Sequence, residues 1–210
     1  MRNYAFVFLI SFLLLACGHD VKHTYFENGK ASSELNYSGS ALDGLSKYYF
    51  ETGVLQSEYD YKNGKLDGRV AKYYYSGRLQ QELFYNDGKQ TSTDKLYFEN
   101  GNLNEVYNYS NGKKNGKYSA FYFQGGMRIE GEYLEDMLHG HWGYYDKYGR
   151  TVGEGSFEKG TGVLVQYYPS GQKKHTVEYK NNKKEGKELF YDKSGNITKE
   201  LIFKNGVGLD

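Results

Sequence analysis

The feature that most constrains this chain is a period. Gly29, Gly53, Gly77, Gly101, Gly125, Gly149, Gly171 and Gly195 are 24 residues apart at every step but one, which is 22. Four positions before each glycine stand Tyr25, Tyr49, Tyr73, Tyr97, Phe121, Tyr145, Tyr167 and Tyr191. Eight positions after stand Tyr37, Tyr61, Tyr85, Tyr109, Tyr133, Phe157, Tyr179 and Phe203. Both columns are wholly aromatic. A unit this short cannot bury an apolar face alone, so the eight copies have to stack, each touching its neighbours.

Each copy reads as strand, turn, strand, turn. A second turn column runs Ser40, Gly64, Gly88, Gly112, Asp136, Gly160, Asn182 and Gly206, residues that accept turn geometry. Asn63-Gly64, Asn111-Gly112 and Asn205-Gly206 are the strongest short hairpin signal. A third column, Gly44, Gly68, Ser92, Gly116, Gly140, Gly162 and Gly186, reads as another turn, and the two missing residues fall between Gly160 and Gly162. Helical periodicity is absent after the first residues. The expected fold is all-β: an elongated, twisted, single-layer antiparallel meander of about sixteen strands, two per repeat, over residues 23–210.

The unit Tyr49-Phe50-Glu51-Thr52-Gly53-Val54-Leu55, continued by Glu58-Tyr59-Asp60-Tyr61-Lys62-Asn63-Gly64-Lys65-Leu66-Asp67-Gly68, resembles the MORN repeat in its bacterial variant. The resemblance covers about residues 23–208. It implies a binding or scaffolding role, sometimes with lipid contact, and neither catalytic residues nor a cofactor. Bacterial proteins of this type are often lipoproteins, and one subgroup is classed as antitoxins. Ser92, Asp136, Asn182 and the two-residue deletion depart from the pattern at positions where the fold tolerates change.

The start of the chain is a different kind of segment. Arg2 precedes an apolar run from Tyr4 to Leu15, the pattern of an export signal. The run is well short of the roughly 20 residues that span a bilayer as a helix. Leu14-Leu15-Ala16-Cys17 resembles the bacterial lipobox, and Cys17 is the single cysteine. This reading makes residues 1–16 a lipoprotein signal peptide, Cys17 the lipidated residue, and 17–22 a short tether. Gly18 in place of Asp resembles the sorting pattern for the outer membrane, which implies a lipid-anchored protein in the envelope of a Gram-negative bacterium. A tether of at most roughly 25 Å would hold the repeats close to the bilayer. Lys+Arg 27 against Asp+Glu 26 leaves no basic footprint, and that excludes nucleic acid as a partner.

The pattern breaks at His139-Gly140-His141-Trp142, which contains the only tryptophan. If Tyr148-Gly149 closes a two-residue hairpin, Trp142 lies opposite Gly155 with Gly131 nearby. Those glycines stand where other repeats have Leu35, Tyr59, Leu83, Tyr107, Val177 and Leu201. In one reading the indole covers strand glycines, a known packing device. In the other, Trp142 joins Tyr144, Tyr145, His139 and His141 in a contact patch, because Trp is enriched among interface anchors. His139 and His141 share a side of the strand, but without a third donor they make no metal site.

Glu34, Glu58, Glu82, Glu130, Glu154 and Glu200 recur at one repeat position. Equivalent carboxylates along an open sheet lack the pocket that would separate two pKa values, so a solvated ladder is expected and not a catalytic pair. Aromatic residues fall on both faces. Most should pack across strands, and an uncovered aromatic face offers a surface to a protein partner. Tyr rings also stack on sugars. The expectation is therefore a non-catalytic, lipid-anchored scaffold for a protein partner, including an antitoxin or immunity factor, with a glycan or cell-wall binding module as the alternative.

Overall fold

A computed structural model describes residues 19–209. The expected signal peptide and Cys17 lie outside the described residues. The first strands are β1 (His19–Tyr25), β2 (Ala31–Ser38), β3 (Ala41–Leu42), β4 (Gly44–Tyr49), β5 (Leu55–Lys62) and β6 (Lys65–Tyr73). The middle comprises β7 (Leu79–Asn86), β8 (Lys89–Tyr97), β9 (Leu103–Ser110), β10 (Lys113–Phe121), β11 (Met127–Leu134) and β12 (Met137–Tyr145). The last are β13 (Thr151–Glu158), β14 (Thr161–Tyr167), β15 (Lys173–Lys180), β16 (Lys183–Tyr191), β17 (Ile197–Lys204) and β18 (Val207–Leu209). Among the described residues there is no helix. Strands pair antiparallel with their sequence neighbours, from β1–β2 to β17–β18. The result is one open meander. It has two strands more than expected because β3 and β4 are one strand broken at Asp43 and β18 is a three-residue stub.

Two kinds of turn alternate. At Asn63-Gly64 both residues have positive φ, 50° and 78°, and Lys62 pairs with Lys65. This is the expected two-residue hairpin, whose twist suits the flanking strands. The other kind is a three-residue loop. The Phe50 amide donates to Val54 O at 2.8 Å, and the Gly53 amide to Phe50 O at 2.7 Å. Gly53 closes the loop at φ 89°.

Tyr148-Gly149 belongs to this second kind, which corrects the two-residue reading: the Asp146 amide reaches Arg150 O at 2.9 Å, around Lys147-Tyr148-Gly149. The register then shifts between Tyr144 and Tyr145, and this bulge restores the pairing of Trp142 with Gly155. The expected partner is reached by a different route.

The third glycine column is a column of bulges, not of turns. Between the pairs Tyr61↔Leu66 and Tyr59↔Val70 one strand advances two residues and its partner four. Gly68 at φ 119° lies in the excess, and Ser92 takes the equivalent place at φ 62°. A polar side chain on the facing strand spans the gap. Asp60 accepts from the Arg69 amide at 3.0 Å, Asn108 donates to Lys117 O at 2.6 Å, and Glu178 accepts from the Lys187 amide at 3.1 Å.

In the shortened repeat the bulge is missing. β13 and β14 pair without a shift from Gly153↔Gln166 to Glu158↔Thr161. Deleting two residues removes the whole bulge and preserves parity, so every side chain keeps its face.

The two-residue turns stack along one edge of the sheet. Gly64, Gly88, Gly112 and Gly206 each donate a backbone N–H to the preceding repeat, at Leu42, Leu66, Gln90 and Lys184. Next to the deletion the stack tightens. Asn182 accepts from the Leu138 amide at 2.9 Å and donates to Asp136 O at 2.8 Å, tying turns two repeats apart. Asn182→Gly would keep the left-handed backbone, φ 64°, and remove both bonds. Chemical denaturation should register a loss of about 1–2 kcal/mol; unchanged stability would mean that the tie is inert.

On the opposite edge one position solves the same problem in three ways. Phe50 and Phe98 pack on Tyr75 and Phe123 of the next turn, with ring centres 5.0 and 5.4 Å apart. Tyr74, Tyr122 and Tyr168 each donate a hydroxyl to a carbonyl of the next repeat at 2.7 Å. Asp146 and Asp192 instead accept amides of their own turns. Phe and Tyr thus bind repeat to repeat, whereas Asp only closes its own loop.

Candidate binding faces

Alternation along each strand divides the side chains into two faces. On one, the first aromatic column meets the glutamate column. Tyr73 donates to Glu58 at 2.7 Å, Tyr167 to Glu154 at 2.5 Å, Tyr49 to Glu34 at 3.4 Å, and Tyr145 to Glu130. Arg69 lies between Glu82 at 2.7 Å and Glu58 at 3.4 Å. The hydrogen bond to Glu82 raises the guanidinium pKa above its ordinary value. The carboxylates are therefore not the freely solvated ladder expected from sequence. Glu34 and Glu58 are half-buried and Glu130 and Glu154 exposed, yet all four accept a phenol, and the same bonds push the Tyr145 and Tyr167 hydroxyls upward.

The other face carries the second aromatic column and the densest packing. Tyr118, Ala120, Trp142 and Phe157 are buried together. Trp142 is 3% exposed, with ring centres 5.5 Å from Tyr118 and 5.1 Å edge-on from Tyr133. Its Nε1–H points to Glu132 O at 3.2 Å and His139 O at 3.1 Å. A Cβ on Gly131 would lie 2.2 Å from the indole Cδ2, and one on Gly155 would lie 2.5 Å from Phe157 Cε2. The indole thus roofs Gly131, as the packing reading expects, whereas Gly155 lies under the Phe157 ring and not under Trp142.

The five residues of the expected contact patch do not share a surface. Trp142 and Tyr144 lie on the densely packed face, whereas Tyr145, His139 and His141 pair into the opposite one. Tyr144 is half-buried, and burial pushes its hydroxyl up to about 12. Tyr144 and Tyr145 border a cavity of about 460 Å³ with Ile129 and Gln166. His141 borders one of about 280 Å³ with Lys117, Glu130 and Glu132. His139 Nδ1 is 3.7 Å from Glu158.

A larger feature escaped the sequence reading. The column that supplies Tyr118 and Trp142 reads Ser46, Val70, Asp94, Tyr118, Trp142, Leu164 and Glu188 along the chain. In the middle repeats its large members fill the face. Ser46 and Val70 are small, and they flank Tyr59 on its two neighbouring strands. A cleft of about 720 Å³ opens there, lined by Tyr48, Tyr59, Tyr61, Gln56, Gln80 and Lys72 among others. The signal was present as two small residues in a column that is otherwise mostly large.

The same column buries two carboxyl groups with opposite consequences. Asp94 is raised by burial, and the Gln81 amide bonds at 2.9 and 3.1 Å only partly offset this. Burial would also raise Glu188, but Lys184 at 2.7 and 2.8 Å and His175 at 2.8 Å outweigh it and hold Glu188 below its ordinary value. For Glu188 the stabilisation is full above the unfolded value of 4.5 and is lost as pH falls through the lower folded value. For Asp94 the sign reverses: stability falls as pH rises from the unfolded value of 3.8 through the higher folded one. Asp94→Asn should therefore raise the melting temperature at pH 7, and Glu188→Gln should lower it and flatten the acid limb. A melting series from pH 3 to 8 checks both signs.

With the repeats and their faces established, comparison with known families has a definite object. The family described as "MORN repeat variant" matches residues 42–63, 66–87, 161–181 and 184–205. The chain is a MORN-repeat protein. Each matched stretch spans one hairpin joined by a three-residue loop, and the first two include the strands that wall the cleft. The Trp142 cluster lies between the matched stretches, where the MORN period continues in the strand pairing. No curated protein matches the chain. MORN repeats are compatible with a repeat scaffold for binding, and the single-layer sheet described above has the form of one.

Proposed function

We propose that this MORN-repeat protein is a non-catalytic scaffold, held at the outer membrane by a lipid on Cys17, whose sheet binds a protein partner in the envelope as a scaffold or immunity factor. The observation that carries the reading is a single layer of sheet with both faces open among the described residues. Tyr75, Phe123 and Tyr148 project from its loop edge at 60%, 50% and 71% exposure. Exposed rings along a rigid edge are the residue type that anchors protein interfaces. The glutamates, already capped by Tyr and Arg, offer no acid–base pair of unequal ionisation.

Capture from detergent-solubilised envelope, with the anchor intact, should enrich one protein saturably. Retention of polysaccharide with no enriched protein would reverse the reading. The anchor has its own check: Cys17→Ser should abolish incorporation of labelled palmitate and move the protein to the soluble fraction. Membrane retention of that variant would rule out the lipid at this residue. A saccharide-binding module is the second reading, and the cleft beside Tyr59 specifically favours it.

A further inference from the structure

The geometry points to the cleft on repeats 2 and 3 as an oligosaccharide-binding site, taking a short run of pyranose units; this deepens the second reading above and is independent of any protein partner. Five rings line the cleft: Tyr48, Phe50, Tyr59, Tyr61 and Tyr73. Tyr48 and Tyr59 meet edge to face, centres 5.6 Å apart at 88°, and Tyr59 and Tyr61 are 6.2 Å apart at 35°. The Tyr48–Tyr59 pair therefore turns one ring's face and the other's edge toward the same space. A sugar ring has an apolar C–H face that stacks on an aromatic face and a rim of hydroxyls that needs polar partners.

Those polar partners are in place. Gln56 and Gln80 line the cleft, and each amide supplies both donors and an acceptor, which matches hydroxyls that donate and accept. Neither amide, nor the hydroxyls of Tyr48, Tyr59 and Tyr61, bonds to another side chain or to backbone among the described residues. Tyr73, which also lines the cleft, is by contrast engaged by Glu58, and away from the cleft Tyr145 and Tyr167 are engaged by Glu130 and Glu154. Lys72 supplies the one cation of the lining, and no carboxylate lines the cleft. A neutral or acidic sugar is admitted and a cationic ligand disfavoured. The volume of about 720 Å³ falls within the roughly 300–1,000 Å³ usual for small-ligand sites.

The floor explains why only this part of the face is open. Ser46 and Val70 are 0% and 1% exposed, and Ser57 is 6%. Where the same column becomes Tyr118 and Trp142, rings fill the equivalent space. The Ser46 hydroxyl is buried without a hydrogen-bond partner, so this floor is not fully optimised for packing.

The test is calorimetry on the full chain in a polyoxyethylene detergent, which carries no sugar, with chitotetraose and cellotetraose as probes. Saturable binding of either is expected. Gln56→Ala/Gln80→Ala should weaken it about tenfold or more, with an unchanged melting temperature showing that the fold persists. As a second arm, Tyr145→Phe on the opposite face should leave the affinity unaltered. No binding of either sugar at millimolar concentration overturns the proposal, as does binding indifferent to the double variant. Neither result touches envelope capture of a protein, so the scaffold reading stands or falls separately.

Discussion

Trp142→Ala should cost about 3–5 kcal/mol, the range for deleting a large buried ring. The expectation rests on three coincident losses. The indole is 3% exposed, so a cavity is left between Tyr118 and Tyr133. Gly131 loses its roof and has no side chain with which to fill the space. The carbonyls of Glu132 and His139 lose their donor. Because it is the only tryptophan, its fluorescence reports unfolding in the parent, and circular dichroism follows both proteins. A contact role predicts a different outcome, in which stability is preserved and affinity for the captured partner falls.

Gly131→Ala gives a second large effect and a test of the first. The new methyl would lie 2.2 to 2.6 Å from three indole carbons, and Trp142 is hemmed in by two tyrosines. Overpacking of this kind costs about 1–3 kcal/mol. In a Trp142→Ala background the obstacle is gone, and replacing a strand glycine should instead gain about 0.5–1 kcal/mol. The sign of the substitution thus reverses with the identity of residue 142. A double-mutant cycle that comes out additive would show that ring and glycine do not act as a unit.

Much of the architecture could be read from residues alone because its signals are local. Asn63-Gly64 demands two successive left-handed residues, and a two-residue hairpin is the result. The same glycine signal does not distinguish a turn from a bulge, so Gly68 and Gly116 were placed on the wrong kind of irregularity. Only the pairing shows that the strand continues past them. The loop at Tyr148-Gly149 misled for a related reason: a three-residue loop followed by a one-residue bulge gives the same distant register as a two-residue loop.

The site fared less well than the fold. Parity by itself separates Trp142 and Tyr144 from His139, His141 and Tyr145, and the bulge at Gly140 conserves that parity. The grouping failed because sequence proximity was weighted above strand alternation. The cleft was missed because it is defined by what is small. Ser46 and Val70 carry no chemistry of their own, and their significance emerges only beside the Tyr118 and Trp142 that occupy the same column elsewhere.

The pairing of each strand with its immediate successors has a kinetic corollary. No closure between distant parts of the chain is required, so any hairpin can form first and the array can grow from it in either direction. The best-packed hairpins are β10 to β13, near the middle, whereas β17 and β18 are largely exposed. Amide protection should therefore peak around Trp142 and decline toward both ends, with the last hairpin opening and reclosing many times for each opening of the centre. During synthesis the repeats that emerge first are those that must wait for their strongest neighbours.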